Sequence, residues 1–552
     1  MKTTLNRNLF ISLIIFVLLF SAGLLKIRYY PMDFDDRSEK IILWSNIRDY
    51  YNFFGSEAPV PPILEGFDIP YIHESIEKDH GIAALYPVAP FLTLDDKYTV
   101  GFFWHLYLYA FFCLGTVFMY KSLRKLLQNR FVSYFGTLMY FLSPRLYGDS
   151  LHNNKDIIFL SLLTIVLYFT ISMSEEDKKR NAVLFAIFGG LFCNTRVLGL
   201  YFTAVFGFIY ILILTIRRKW SKAKFINGLI AAFGSLSVYI IVTPAIYAGG
   251  GFDLIGHISY CVNRTSNFVS WWHPVLFDGH VYDWRFDVLP WYYIPKFILI
   301  TTPPIVIVLF FIGLVSLCVR IRVKDDVAIY ASTMLITGII PLLVAIVKKS
   351  ILYNGWRHFY FLYCVIIIIS SAGLEMLTDA LGSKEKFSGI KARNLKYLPY
   401  LICSAAALFY YIGDAYYQVG GAMYYNILAG GSVPMRYEMD YSAISGKEVL
   451  RHWIGSVDEE HVFLFMDGDD ISAINNCFSV MDDDIRDKVT LVNTRDLAVS
   501  LAEEGYTVYE YFDPVYAYWN GEDRWSYVST LENVYTYKPW GRTSGAIYKF
   551  SE

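Results

Sequence analysis

Stretches of mostly apolar sequence, most of them close to twenty residues long, recur along this chain, and no other feature restricts its fold as strongly. A bilayer core takes roughly 17–25 such residues as one helix, and backbone polar groups in lipid must bond within their own segment. On that rule the candidate spans fall near 9–26, 99–119, 131–147, 157–174, 182–194, 196–216, 226–247, 294–319, 327–347, 355–376 and 397–413. Two are weak: 131–147 closes on the turn pair Ser143-Pro144, and 182–194 is short and carries Gly189-Gly190. The first apolar run has signal-peptide character, but no A-x-A site follows it and more spans do, so it is expected to be a retained helix. The composition agrees: 55% of 552 residues are hydrophobic and mean hydropathy is +0.38, which excludes an ordinary soluble enzyme. A net charge of −2 gives no sign of a nucleic-acid partner. The seven Cys form no CxxC or other metal-ligand spacing and read as small buried apolar residues.

The loops assign the sides. KSLRKLLQNR (121–130), EEDKKRN (175–181), RRKWSKAK (217–224), RIRVKDD (320–326) and the Lys/Arg-rich 384–396 are basic, and counting spans puts all of them with the N-terminus. The positive-inside rule makes that side cytoplasmic. The external segments are then 27–98, 143–156, 248–293, 348–354 and everything from 414. The tail holds no span. Alternation as in HVFLFMDG and YTVYEYF, with Gly/Asp turns between, predicts a small domain. The chain is therefore expected to be a polytopic α-helical membrane protein of about eleven helices over 1–413. An extracytoplasmic α/β or α+β domain is expected over 414–552.

The candidate chemistry lies on the external side. PMDFDDRSEK opens the first external loop with Asp33, Asp35, Asp36 and Glu39. A carboxylate there would serve as general base toward an acceptor hydroxyl, or simply start a solvated acidic loop. SPRLYGDSLHNNKD (143–156) sets Arg145, Asp149, His152, Asn153, Asn154, Lys155 and Asp156 between two apolar segments, where unpaired polar groups are costly. Arg145 and Lys155 suit a phosphate, and Asp156 suits a water, an acceptor or a metal. The plainer account is a loop whose Asn154 caps the next helix, with an acid in its first turn. Arg196, between two spans, is expected to be paired or ligand-facing, or to snorkel to the interface. The aromatic loop 271–304, with Trp272, His273 and His280, reads as an interfacial belt or a sugar platform. Trp356, Arg357 and His358 stand at the mouth of a span, as anchors or as neutralisers of a lipid phosphate.

In these segments the chain resembles the GT-C superfamily of polyprenyl-phosphate-sugar-dependent glycosyltransferases. Within it the likeness is to bacterial relatives of dolichyl-phosphate-mannose protein mannosyltransferases and to lipid A aminoarabinose transferases. It is carried by DFDDRSEK, SPRLYGDSLHNNKD, NTRVLGL, PVLFDGHVY…LPWYYIPKFILITTPP, YNGWRHFYFLY and YYNILAGG…RYEMDY, which together span most of 30–445. The resemblance implies a catalytic acidic pair at Asp35-Asp36, with Asp rather than Glu in second place, and a further catalytic acid at Asp156. It implies a donor-phosphate site from Arg145, Lys155, Arg196, Arg357 and His358; the polar and aromatic residues His152, Asn154, Trp272 and His273 are candidate sugar or acceptor contacts.

The expected activity is transfer of a sugar, with inversion, from a polyprenyl-phosphate carrier to a glycan, lipid or protein acceptor outside a plasma membrane. The alternative is a lipid or sugar transporter without transferase activity; such proteins usually show paired halves, and none stands out here. No spacing requires a cofactor, although two Asp with nearby Asn offer oxygen ligands for a divalent cation.

Overall fold

The computed structural model describes residues 2–31, 35–267, 273–383, 397–466, 474–475, 477–479, 481–515, 517 and 523–550. Its helices run α1 (Lys2–Leu24), α2 (Asp36–Phe53), α3 (Lys97–Leu126), α4 (Arg130–Phe141), α5 (Pro144–Asp149), α6 (Asp156–Glu175), α7 (Lys179–Thr195) and α8 (Val197–Ile216). They continue as α9 (Lys222–Ile241), α10 (Leu254–Ser266), α11 (Tyr293–Thr301), α12 (Pro304–Arg320), α13 (Asp326–Val347), α14 (Phe361–Ser383) and α15 (Leu398–Tyr417). Among the described residues, nine helical segments are long and apolar enough to cross a membrane. The two weak candidates are helices as well, α4 with 12 residues and α7 with 17. The chain is a multi-pass α-helical membrane protein.

Polar residues set the ends of these helices. Asp96, Asn129, Ser221 and Asp325 each accept backbone N–H bonds from the first turn of the helix that follows, which satisfies donors that lipid could not. The expected single span 294–319 is instead broken into α11 and α12, because Pro303 and Pro304 supply no N–H there. Carbonyls near that break are satisfied from far along the chain: the Asn426 side chain donates to Leu299 O and Thr302 O, both at 2.7 Å.

The bundle has two chemically different ends. At one, Lys125 meets Glu175 at 2.5 Å, Arg217 meets Asp326, and Arg320 meets Glu375, both at 2.6 Å. These pairs gather the basic loops together; the basic stretch 384–396 lies outside the described residues. At the other end lie the start of α2, α5, the N-termini of α6, α8 and α14, and the C-terminus of α15. The segment 27–98 is not merely a loop, since α2 and several 3-10 turns order it against the bundle.

Beyond α15, residues 419–444 pack into the same apolar cluster as the helices. A separate core begins at Val449. It is organised by α16 (Gly446–Ile454), β3 (Val462–Phe465), α17 (Asp483–Lys488), β4 (Val489–Val492), α18 (Arg495–Glu503), β5 (Val508–Phe512), α19 (Arg524–Val528), β6 (Asn533–Tyr537) and β7 (Gly545–Lys549). The sheet order is β4-β3-β5-β7-β6, parallel through β4, β3 and β5 and antiparallel beyond, an α/β domain with a mixed sheet. A separate hairpin of β1 (Val275–Phe277) and β2 (His280–Tyr282) bridges to Tyr437.

Candidate active site

Four sequence-distant segments bring charged groups together at this end of the bundle. Asp35 is the residue before α2, and its carboxylate is 54% exposed. Asp36, next along, is 2% exposed and turns inward to Lys40 at 3.6 Å and to His105 at 3.7 Å. Successive helical residues point about 100° apart, so one of two neighbouring carboxylates faces outward and the other is committed to packing. Asp35 Oδ2 lies 3.5 Å from Arg357 Nη1, in the turn ahead of α14.

Lys155 and Asp156 start α6. Lys155 Nζ reaches Glu39 at 2.6 Å, one turn beyond Asp35, and His80 Nδ1 at 3.0 Å. Asp156, buried, accepts from Arg196 at 2.5 Å and from the Asn153 side chain at 3.1 Å. Asn153 also accepts the Asp156 N–H at 3.0 Å. The cap expected of Asn154 is therefore made by Asn153; Asn154 is buried, and its Nδ2 has no hydrogen-bond partner among the described residues. Arg196 occupies the joint between α7 and α8, paired rather than snorkelling.

The donor side of this array is incompletely used. Arg196 Nε, Arg357 Nε and His358 Nδ1 are buried and make no hydrogen bond among the described residues. Buried nitrogens of this kind are normally satisfied. Burial, then the charges of Arg357, Arg196 and Lys155, hold the His358 imidazole well below its ordinary pKa.

Behind the array lies a buried polar layer. Asp149 accepts from the Tyr360 hydroxyl at 2.6 Å and the Tyr441 hydroxyl at 2.9 Å, with His152 Nε2 at 3.4 Å. His152 stacks on Tyr30 at 5.9 Å. Arg145 belongs to this layer: it is 1% exposed, its guanidinium 5.1 Å from the Tyr425 ring centre. Glu438 is 3% exposed and accepts the Asn354 N–H at 3.1 Å. Burial raises its carboxyl to about 8, against the backbone N–H groups of Asn354 and Gly355 and the charges of Arg357 and Arg145. Trp272 lies outside the described residues, and His273 is buried just ahead of β1.

Sequence reasoning passed over Glu77, His80 and Glu438. Glu77 and His80 sit in the acidic run EKDH, and their helix-like spacing of three was the available signal. Glu77, Asp79 and His80 bring ligand atoms within 4.8 Å of one another. That cluster is already met by cations, with Arg264 3.5 Å from Glu77 and Lys155 3.0 Å from His80. A cavity of about 340 Å³ opens beside α2, lined by Arg37, Lys40, Lys97, Phe67, Phe478 and neighbours.

Comparison with known proteins adds the following. Residues 80–247 match the family model described as dolichyl-phosphate-mannose-protein mannosyltransferase, a stretch that carries Arg145, Lys155, Asp156 and Arg196. No curated protein matches the chain. Among solved structures, the chain is similar to ArnT from Cupriavidus metallidurans in the apo state, at 11% identity and a TM-score of 0.47, over 99% of this chain and 98% of that one. It is also similar to the same protein bound to undecaprenyl phosphate, at 10% identity and a TM-score of 0.44 over the same shares.

Proposed function

We propose that this chain is a membrane glycosyltransferase that moves a sugar from a polyprenyl-phosphate carrier to an acceptor outside the cytoplasm. The observation that carries this reading is the array itself. One exposed carboxylate, Asp35, faces Arg357, beside Arg196 and His358, and Arg357 Nε, Arg196 Nε and His358 Nδ1 are buried without hydrogen-bond partners among the described residues. A phosphate brings the oxygens those nitrogens need. The family match over 80–247 supports a lipid-phosphate-sugar donor.

In the proposed reaction Asp35 accepts the proton of an acceptor hydroxyl as its oxygen forms a bond to the anomeric carbon. The bond from that carbon to the lipid-phosphate oxygen breaks, and its electron pair leaves with the phosphate. Arg357, Arg196 and Lys155 stabilise the negative charge, an effect worth roughly 3–4 kcal/mol per well-placed donor. One displacement inverts the anomeric centre. Asp156 orients Arg196 at 2.5 Å, and Asp36 is held inward by Lys40 and His105. Arg145 supports the array from behind. The acceptor enters by the cavity beside α2, whose lining carries Arg37, Lys40 and Lys97. The array then lies on the extracytoplasmic side and the basic loops in the cytoplasm.

The test is transfer from a radiolabelled polyprenyl-phosphate sugar in membranes holding the parent chain or Asp35→Asn. Loss of transfer with retained donor binding supports the reading. Full transfer by the variant, or carrier movement across the membrane with no transfer, refutes it.

A further inference from the structure

The segment that presents Arg357 and His358 is held by a residue of the tail. Asn354 and Gly355 are both left-handed, at φ +57° and +69°. Asn followed by Gly suits such a turn, since both tolerate the left-handed region. Three contacts fix this turn. Glu438 Oε2 accepts the Asn354 N–H at 3.1 Å, the Tyr293 hydroxyl oxygen accepts the Gly355 N–H at 3.2 Å, and Trp356 Nε1 donates to Thr301 Oγ1 at 2.8 Å. Tyr293 and Thr301 are on α11, so of these three contacts Glu438's is the one made from beyond the last span. Glu438 is itself anchored, because its carbonyl accepts from the Tyr425 hydroxyl at 2.5 Å. The Arg145 guanidinium lies against the same turn, 3.6 Å from where a side chain on Gly355 would begin.

We infer that Glu438 is a positioning residue: it clamps the Asn354-Gly355 turn so that Arg357 and His358 face the donor phosphate. The inference rests on the glycosyltransferase reading for the identity of the ligand, but the clamp is a property of the fold. A buried carboxyl oxygen meets the Asn354 N–H here, where an unpaired backbone N–H is costly. The tail segment 419–444 thereby becomes part of the site's framework.

The experiment compares the full-length parent, Glu438→Ala and Glu438→Gln in lipid nanodiscs, each checked for a monodisperse elution profile. Amide exchange of peptides covering 352–360 is read alongside affinity for undecaprenyl phosphate. Glu438→Ala is expected to exchange there about tenfold faster and to bind about tenfold more weakly. Glu438→Gln keeps an acceptor oxygen and is expected to stay within about threefold of the parent on both readouts. Unchanged exchange in Glu438→Ala overturns the clamp, and so does a Gln variant as impaired as Ala. If the parent itself does not bind undecaprenyl phosphate while the Ala variant loosens the turn, the clamp stands and the glycosyltransferase reading falls.

Discussion

At the scale of single residues, neighbours in sequence have different tasks because the fold gives them different surroundings. Asp35 is half-exposed toward Arg357, whereas Asp36 is buried against Lys40 and His105. Asp35→Asn is therefore expected to lower the transfer rate by about a hundredfold or more with little change in stability. Asp36→Asn is expected to lower the unfolding temperature, and rates with thermal melts on both proteins separate the two effects. Arg196→Ala leaves Asp156 buried with one partner fewer. It is expected to destabilise the chain by about 2 kcal/mol, read as a shift in detergent unfolding. The acidic pair was legible in DFDD, but which member faces outward was not. That depends on His105 and Lys40 arriving from α3 and the next turn of α2.

Among elements, close helix packing sets the bundle. A side-chain carbon on Gly313 of α12 would stand 2.0 Å from Ile369 O of α14, and one on Gly373 would stand 2.2 Å from Leu309 O. The two helices meet backbone to backbone, as membrane helices do where small residues permit it. Gly313→Leu is expected to cost about 1–3 kcal/mol, seen as a lower midpoint of thermal unfolding. Helix positions were legible because lipid demands long apolar runs. The break between α11 and α12 was written in Pro303-Pro304, yet the group that makes it tolerable, Asn426, lies more than a hundred residues away. α2 was not legible as a helix, since its buried positions include the polar Asp36, Glu39, Lys40, Asn46 and Asp49 and so leave no clean apolar stripe in the sequence.

For the whole molecule, the buried Glu438 links stability to pH. Its carboxyl is raised from 4.5 to about 8 in the folded chain, so the folded state holds a proton that the unfolded state gives up. The resulting stabilisation is full below pH 4.5 and is lost as pH rises to about 8. The unfolding temperature of the parent is expected to fall more steeply between pH 4.5 and about pH 8 than that of Glu438→Gln. Orientation is checked with single cysteines at exposed positions on the two ends, Lys219→Cys and Ser432→Cys. An impermeant thiol reagent added outside intact cells is expected to label the second and not the first.

The sequence by itself determined the membrane-embedded class, the order of helices, the separation of basic from acidic loops and the rough set of charged residues at one end. Those follow from local physics, because a bilayer selects apolar length and a membrane potential selects loop charge. Only the tertiary structure decided that Asp35 faces outward, that Arg145 is buried behind the array, and that His358 Nδ1 is buried beside Arg357. It also decided that the tail, through Glu438, holds the turn bearing Arg357. Each of these depends on which side chains meet across tens or hundreds of residues, and burial and pairing at such meetings have no local signature in the chain.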